Sequence, residues 1–268
     1  MGVKKVGIVG YGYVGKVFER FFKTSFEVEI YDPAYPEYSN LSKINECELA
    51  VFCLPTISRE DGSCDTSVVE KMAKEVSCPL VLIKSAVVPG TTDKLNAQYG
   101  LRFAVSPEYA GEGKYFTPFW KYPDPTDSTS HGFFVVGGPE LATGRITEYI
   151  LKVMGPDTKV HKMSAVEAEI TKYIENSWGA TKVTFANEFY EICKAYGADF
   201  QKVREGWTAD PRVERMHTMV LSDKRGFGGK CFPKDVAAIL HAAAQKGYKA
   251  ELLRQVLHSN EEFIKKNV

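Results

Sequence analysis

The segment GFGGKCFPKD, residues 226–235, sets one cysteine, Cys231, behind Gly226, Gly228 and Gly229 and ahead of Pro233, Lys234 and Asp235. Glycines lack a Cβ, so such a backbone comes close to a ligand, and its successive N–H groups form a concavity suited to oxyanions. Lys230 and Lys234 flank the thiol and favour its thiolate, the form that attacks carbon electrophiles. Apolar residues at helical spacing (Val236, Ile239, Leu240, Ala243) follow Asp235, which places Cys231 near a helix N-terminus whose dipole acts in the same direction. Read alone, the segment also fits a glycine-rich turn around a structural cysteine, because burial is the ordinary fate of a free thiol. The other five cysteines, Cys47, Cys53, Cys64, Cys78 and Cys193, show neither CxxC nor Cys/His zinc spacing. They are expected to be small buried hydrophobes, with Cys64 a loop residue, and no metal is expected.

Two more pairs have spacing that could do chemistry. Lys172 and Asn176 lie four apart in a long helical run and so share a face, where a cation and an amide could meet one oxyanion or simply face solvent. Glu108 and Glu112, in SPEYAGEG, are also four apart, although Gly111 and Gly113 weaken a helix there and two solvated acids are an equal reading.

At the N-terminus, Gly10, Gly12 and Gly15 form GxGxxG between an apolar strand, Val3 to Val9, and a helix, Lys16 to Phe22. A second strand, Phe26 to Tyr31, ends at Asp32. Strand, glycines, helix and terminal acid together make the dinucleotide fingerprint: pyrophosphate at the helix N-terminus, ribose hydroxyls on the acid. Asp32 favours NAD, because a 2′-phosphate beside a carboxylate is repelled.

These residues need elements to hold them. Strands at Leu49–Leu54, Leu80–Lys84, Arg102–Val105 and, last, Phe133–Val136 alternate with helices at Thr66–Val76 and Thr91–Tyr99. That rhythm predicts an α/β, Rossmann-type, mostly parallel sheet with helices on both faces, its ligand loops at the carboxyl edge. Residues between Gly113 and Val135 carry seven aromatics and three prolines and read as a long loop, either covering a site or roofing a satellite core. From Ser164 onward the pattern is all-helical: a long run from Ala165 to Tyr196, a short helix from Phe200 to Gly206, and a stretch from Val236 to Lys266 broken at Gly247. The expected division is 1–163, a dinucleotide-binding domain, and 164–268, a helical domain carrying the cysteine loop. Zero formal net charge over 268 residues excludes a broad nucleic-acid or acidic-membrane surface. No apolar run of about 18 residues is present, so a soluble, cytoplasmic protein is expected.

The whole chain resembles the UDP-glucose/GDP-mannose 6-dehydrogenase family. GYGYVG, LPTISREDGSCDTSVVE, KSAVVPGTT, SPEYAGEG, AEITKYIENSWGATKVTFANEFYEICKAYG and GFGGKCFPKD follow one another in the family's order. The resemblance implies oxidation of a sugar C6 alcohol to a carboxylate with NAD, through attack of Cys231 on the intermediate aldehyde and a thioester that water cleaves. It further implies Lys172 and Asn176 as oxyanion holders, Glu112 as base with Glu108 in support, and Asp235 as the carboxylate holding the first-step water. Cofactor contacts are expected from Gly10, Gly12, Tyr13, Val14, Gly15, Asp32, Pro55, Thr56, Ser85 and Lys234. Substrate contacts are expected from Arg212, Phe227, Gly228 and Gly229, with Arg225 and the loop around Trp120 adding to them. Ala86 stands where the family usually has threonine, and family members ordinarily continue past the point corresponding to Val268 into a second α/β domain. A homodimer is expected, because the helices from Ala165 and Val236 carry apolar residues (Trp178, Phe185, Phe189; Leu252, Leu253, Val256, Leu257) on more than one face. A non-catalytic NAD-binding fragment that needs a partner chain, or a dehydrogenase for a different alcohol, stays open beside the sugar-nucleotide reading.

Overall fold

The computed structural model describes residues 4–109 and 127–267, so Glu112 and Trp120 lie outside the described residues. In chain order the elements are β1 (Lys5–Val9), α1 (Tyr13–Lys23), β2 (Glu27–Tyr31), α2 (Ser42–Asn45), β3 (Leu49–Phe52), β4 (Ile57–Ser58), β5 (Cys64–Asp65), α3 (Ser67–Glu75), β6 (Val81–Ile83) and α4 (Thr91–Tyr99). They continue as β7 (Phe103–Val105), β8 (Phe133–Gly137), α5 (Glu140–Met154), β9 (Lys159–Met163), α6 (Ala165–Ala195), α7 (Phe200–Trp207), α8 (Phe232–Gln245) and α9 (Glu251–Ile264). The described residues divide into two compact units, one within Met1–Ile57 and Asp65–Lys172, the other within Ser58–Cys64 and Tyr173–Val268.

The first unit is built on a seven-stranded sheet of order β2-β1-β3-β6-β7-β8-β9. Every pairing is parallel except β7 with β8, which meet antiparallel at Val105 and Gly137. Strands buried on both faces read as unbroken apolar runs, and Leu49–Phe52 and Val81–Ile83 do so. Alternate residues feed two cores. Ala50, Phe52, Val81 and Ile83 pack on one face with Val69, Met72 and Leu95 from α3 and α4. Leu49, Val51, Leu82 and Val136 pack on the other with Phe18, Phe21 and Phe22 of α1 and Ile146, Tyr149 and Ile150 of α5.

Two elements go beyond the sequence expectation. Phe133–Gly137 is not the last strand, because β9 pairs with it along its whole length from Phe133↔Lys159 to Gly137↔Met163. KVHKM is an edge strand with only partial burial, so it lacks the apolar run that marks the inner strands. Before it comes α5, whose buried Ala142, Thr143, Ile146, Tyr149 and Ile150 fall at helical spacing. Cys64, expected in a loop, is instead buried in β5, which pairs with β4.

In the second unit Ala180, Phe227, Val236 and Val256 form one small core, flanked by Phe232, Leu253 and Leu257. Ala186, Cys193, Phe200 and Val220 form another. Gly197, at φ +66, ends α6 in the left-handed conformation that glycine adopts without strain, and the Asp199 carboxylate then caps α7 by accepting from the Gln201 N–H. On α9 the expected apolar surface is mostly internal: Val256 is buried, Leu253 and Leu257 pack on the core, and only Leu252 stays exposed. On α6 it is external. Ile170, Ile174, Trp178, Phe185, Phe189 and Ile192 are all exposed. Among the described residues no helix is long and apolar enough to cross a membrane.

Candidate active site

The glycine turn of the first unit has three distinct reasons for its glycines. Gly10 sits at φ +92, and a Cβ there would stand 2.5 Å from the Cys53 carbonyl oxygen; one on Gly15 would stand 2.0 Å from the Gly10 carbonyl oxygen. Gly12 differs, because no atom lies within 4 Å of the place where its Cβ would be. It is the N-cap of α1, with no side-chain cap and no acid in the first turn, so the positive end of the helix dipole is not neutralised there. Tyr13 and Val14 are the first helical residues and pack partly against the sheet.

At the tip of β2 the Asp32 carboxylate is fixed from both sides, Oδ2 accepting the Tyr11 N–H at 2.7 Å and Oδ1 the Ala34 N–H at 2.9 Å. Carboxylate oxygens have further lone pairs, and those can meet a diol. The rings of Tyr11, Tyr35 and Tyr38 group beside it, with Tyr11 edge-on to the other two. Past β3, Pro55 is exposed and Thr56 half-buried. Ser85 ties that exit to β6, its Oγ accepting the Leu54 N–H at 2.9 Å and donating to the Phe52 carbonyl at 3.3 Å. Ala86 is half-buried beside it. This set of an uncapped helix N-terminus, a cleared Gly12 and a braced Asp32 fits a dinucleotide.

The same unit gathers Glu108 and Lys172, as expected, with a residue that was not. Lys172 donates from Nζ to the Glu108 backbone oxygen at 2.6 Å and lies 5.8 Å from the Tyr109 ring centroid. Lys84, at the end of β6, places its buried ammonium 3.3 Å from the Glu108 carboxylate. Its position gives the one available clue, a lysine closing an otherwise apolar strand. Glu169, on the first turns of α6, is also buried and accepts the Gly90 and Thr92 N–H groups at the start of α4. Burial pushes its carboxyl up to about 7, against those N–H bonds.

In the second unit Cys231 is exposed and occupies the N-cap position of α8, while four of the other five cysteines are buried and Cys53 is partly so. Asp235, in the first turn of α8, is buried and engaged by the Asn176 amide and the Lys234 ammonium. Asn176 stands one turn after Lys172 on α6. Lys234, expected to face a cofactor, is thus paired with Asp235 in this structure.

The loop before Cys231 is anchored by amides. Asn260 of α9 brackets Phe227, its Oδ1 accepting the N–H at 2.6 Å and its Nδ2 donating to the carbonyl at 2.9 Å. Gly226 is at φ +73, and a Cβ on it would strike Asn260 Oδ1 at 2.6 Å. The Phe227 side chain is buried in the α8–α9 core, so this residue holds the loop. Arg225, expected to add a substrate contact, is buried as well. Its guanidinium is 5% exposed, donates to Asn187 Oδ1 at 2.7 Å and Glu191 at 2.7 Å, and stacks 4.2 Å from the Tyr190 ring. Downstream, Phe232 is packed so closely on Gly179 that a Cβ there would stand 2.5 Å from its Cζ. Gly228, Gly229, Lys230 and Cys231 are therefore an exposed arch between two anchored ends, with Gly229 at φ +78. Arg212 is exposed and forks onto Asp210.

Residues 166–262, which include Lys172, Asn176, Cys231 and Asp235, match the UDP-glucose/GDP-mannose dehydrogenase family, central domain. The chain is 32% identical over 248 residues to UDP-glucose 6-dehydrogenase of Haloferax volcanii, covering 83% of this chain and 54% of that one. The chain belongs to the UDP-glucose/GDP-mannose dehydrogenase family. GDP-mannose 6-dehydrogenase of Pseudomonas putida, another family member, is 30% identical over 237 residues, 81% of this chain and 51% of that one. Among solved structures, a UDP-glucose dehydrogenase from the hyperthermophilic archaeon Pyrobaculum islandicum superposes with a TM-score of 0.80 at 26% identity, over 97% of this chain and 68% of that one. The chain spans about half the length of the curated family members it matches.

Proposed function

We propose that the protein oxidises the C6 alcohol of a nucleotide sugar to the uronic acid with NAD, through a covalent intermediate on Cys231. The observation that carries the reading is the exposed Cys231 at the N-terminus of α8, in a chain whose other cysteines are buried or partly so, four residues before a sequestered Asp235. A cysteine kept for packing is buried; one kept for reaction is presented. Gly12, the α1 N-terminus and Asp32 would hold NAD, and two NAD molecules bound in turn would each accept one hydride, one per oxidation.

In this reading the carboxylate of Asp235, oriented by Asn176 and Lys234, holds the water that takes the alcohol proton in the first step. Cys231 then adds to the aldehyde carbon, and Lys172 and Asn176 hold the resulting oxyanion, the place where fixed donors contribute most. After the second oxidation the acyl group remains on sulfur as a thioester. Glu112, with Glu108 in support, activates the water that releases the acid. The exposed arch of Gly228 and Gly229 offers backbone N–H groups to the substrate, and Arg212, forked onto Asp210, an exposed cation.

The experiment is NADH formation on incubation with UDP-glucose and with GDP-mannose, followed by intact-protein mass. Cys231→Ala should abolish acid formation, and Glu112→Gln should slow it while an acyl adduct accumulates on the protein. Unchanged turnover in Cys231→Ala ends the covalent reading.

The protein acting as a homodimer is part of the same proposal. Residues 170, 174, 178, 185, 189 and 192 fall within about 100° of arc on α6, at 3.6 residues per turn. That makes one apolar stripe roughly 33 Å long at 1.5 Å per residue. A second copy of the same stripe, related by a two-fold axis, is self-complementary to it.

A further inference from the structure

Among the described residues three cationic side chains are buried: Lys84, Arg204 and Arg225. Arg204 and Arg225 bind segments of their own unit with forked guanidinium groups, Arg204 to Thr218 and Glu205, Arg225 to Asn187 and Glu191. Lys84 is different in what it holds. Its ammonium donates hydrogen bonds to Ser106 Oγ at 3.1 Å and the Pro107 carbonyl at 2.8 Å, and is ion-paired with the Glu108 carboxylate at 3.3 Å. The acceptors belong to three consecutive residues, the turn that leaves β7. Phe18 and Phe134 pack over the ammonium, their ring centroids 4.7 and 5.4 Å from Nζ, and the Lys84 side chain is 2% exposed. Burial pushes the ammonium's pKa down, and the Glu108 carboxylate acts against that shift.

A buried lone ammonium is costly, and a fold keeps one only where the pairing is good or the charge is needed. The need is legible from the other side of the turn. Lys172 donates to the Glu108 backbone oxygen at 2.6 Å, so the carboxylate of Glu108 is held by one lysine and its carbonyl by another. Moving the turn moves both groups together.

We propose that Lys84 is a positioning residue for this site: by fixing Ser106, Pro107 and Glu108 it orients the Glu108 carboxylate and, through the Glu108 carbonyl, the ammonium of Lys172. The assignment rests on the dehydrogenase reading above for what Glu108 and Lys172 do, whereas the pairing itself stands on geometry alone. Lys84 touches neither substrate nor cofactor in this role. Its effect passes entirely through Glu108 and Lys172.

The test has two arms on the full chain. In the first, unfolding by urea is measured for wild type, Lys84→Met, Glu108→Gln and the double variant. The pair should be coupled, the double variant's unfolding constant differing by about tenfold or more from the product of the single effects. Additive effects overturn the proposal. In the second arm, turnover with UDP-glucose and GDP-mannose is followed as NAD is varied. Lys84→Met should lower kcat about tenfold or more, the scale on which a displaced catalytic group acts, with KM for NAD within about twofold of wild type. Coupled stability with unchanged kcat shows a plain structural ion pair and overturns the positioning role. A rise in KM for NAD with kcat unchanged overturns it too, by making Lys84 a cofactor contact. Should Lys84→Met not fold, Lys84→Gln, which retains a donor for the Pro107 carbonyl, takes its place in both arms. Wild-type protein inert toward both sugar nucleotides would remove the dehydrogenase reading and the positioning role with it. The urea arm would still report whether the pair exists.

Discussion

Replacing Asn260 by alanine removes the one side chain that satisfies both backbone groups of Phe227. Asn260 is 4% exposed and Phe227 5%, so water has no ready access to the N–H and C=O left behind. An unsatisfied buried polar group costs about 1–3 kcal/mol, and two are created, which gives roughly 2–6 kcal/mol before any loss of packing. Against a total stability of about 5–15 kcal/mol this is a large fraction. For a chain of this size, with about 2–4 °C of melting temperature per kcal/mol, a central value of about 4 kcal/mol predicts a fall of about 8–16 °C. Calorimetry measures it, and amide hydrogen exchange locates it: peptides covering residues 225–231 should exchange faster, those of β3 and β6 should not. A loss below about 1 kcal/mol, with exchange unaltered at Phe227, would show that the loop does not depend on Asn260 and that its anchors lie elsewhere.

Asp32 is braced by two backbone N–H groups and no cation pairs with it among the described residues, so NAD should bind roughly ten- to thirtyfold more tightly than NADP in titration calorimetry; equal affinities would refute the role given to its carboxylate. Glu169 has a folded-state pKa of about 7 against an ordinary 4.5, so its stabilising contribution is complete below about pH 4.5 and is lost as pH rises through 7, roughly 3 kcal/mol in all. His217, pushed down to about 4 chiefly by burial, slopes the opposite way over an overlapping window, so the Glu169 effect is read as wild type minus Glu169→Gln, and a flat difference between pH 4.5 and 7 would refute it. Sedimentation should find a dimer that Trp178→Glu with Phe185→Glu converts to monomer; a wild-type monomer at micromolar concentration would leave the α6 stripe without the proposed partner.

Much of the fold was determined by sequence alone, for reasons that are local. GxGxxG between an apolar strand and a helix, closed by Asp32, specifies its own geometry because a Cβ on Gly10 or Gly15 collides with nearby backbone. The inner strands announce themselves as apolar runs because both sheet faces are covered. Cys231 at a helix N-terminus was equally legible, since its glycines, Pro233 and the following apolar spacing are consecutive. β9 was not, because an edge strand is stabilised by its pairing with β8 and needs no apolar pattern of its own. Tertiary structure alone decided the partners of charge. Nothing in the spacing of Lys84, Ser106, Pro107, Glu108 and Lys172 shows that they meet, for sheet order places β6 beside β7 and Lys172, on the first turns of α6, reaches the Glu108 carbonyl. Nor could sequence tell that Arg225 is a buried clasp and Arg212 an exposed cation. Both are arginines in an irregular segment, and only the amides of Asn187 and the carboxylate of Glu191, on the facing turns of α6, distinguish them. Periodicity records which face of an element is apolar; it carries no record of which distant polar group that element will meet.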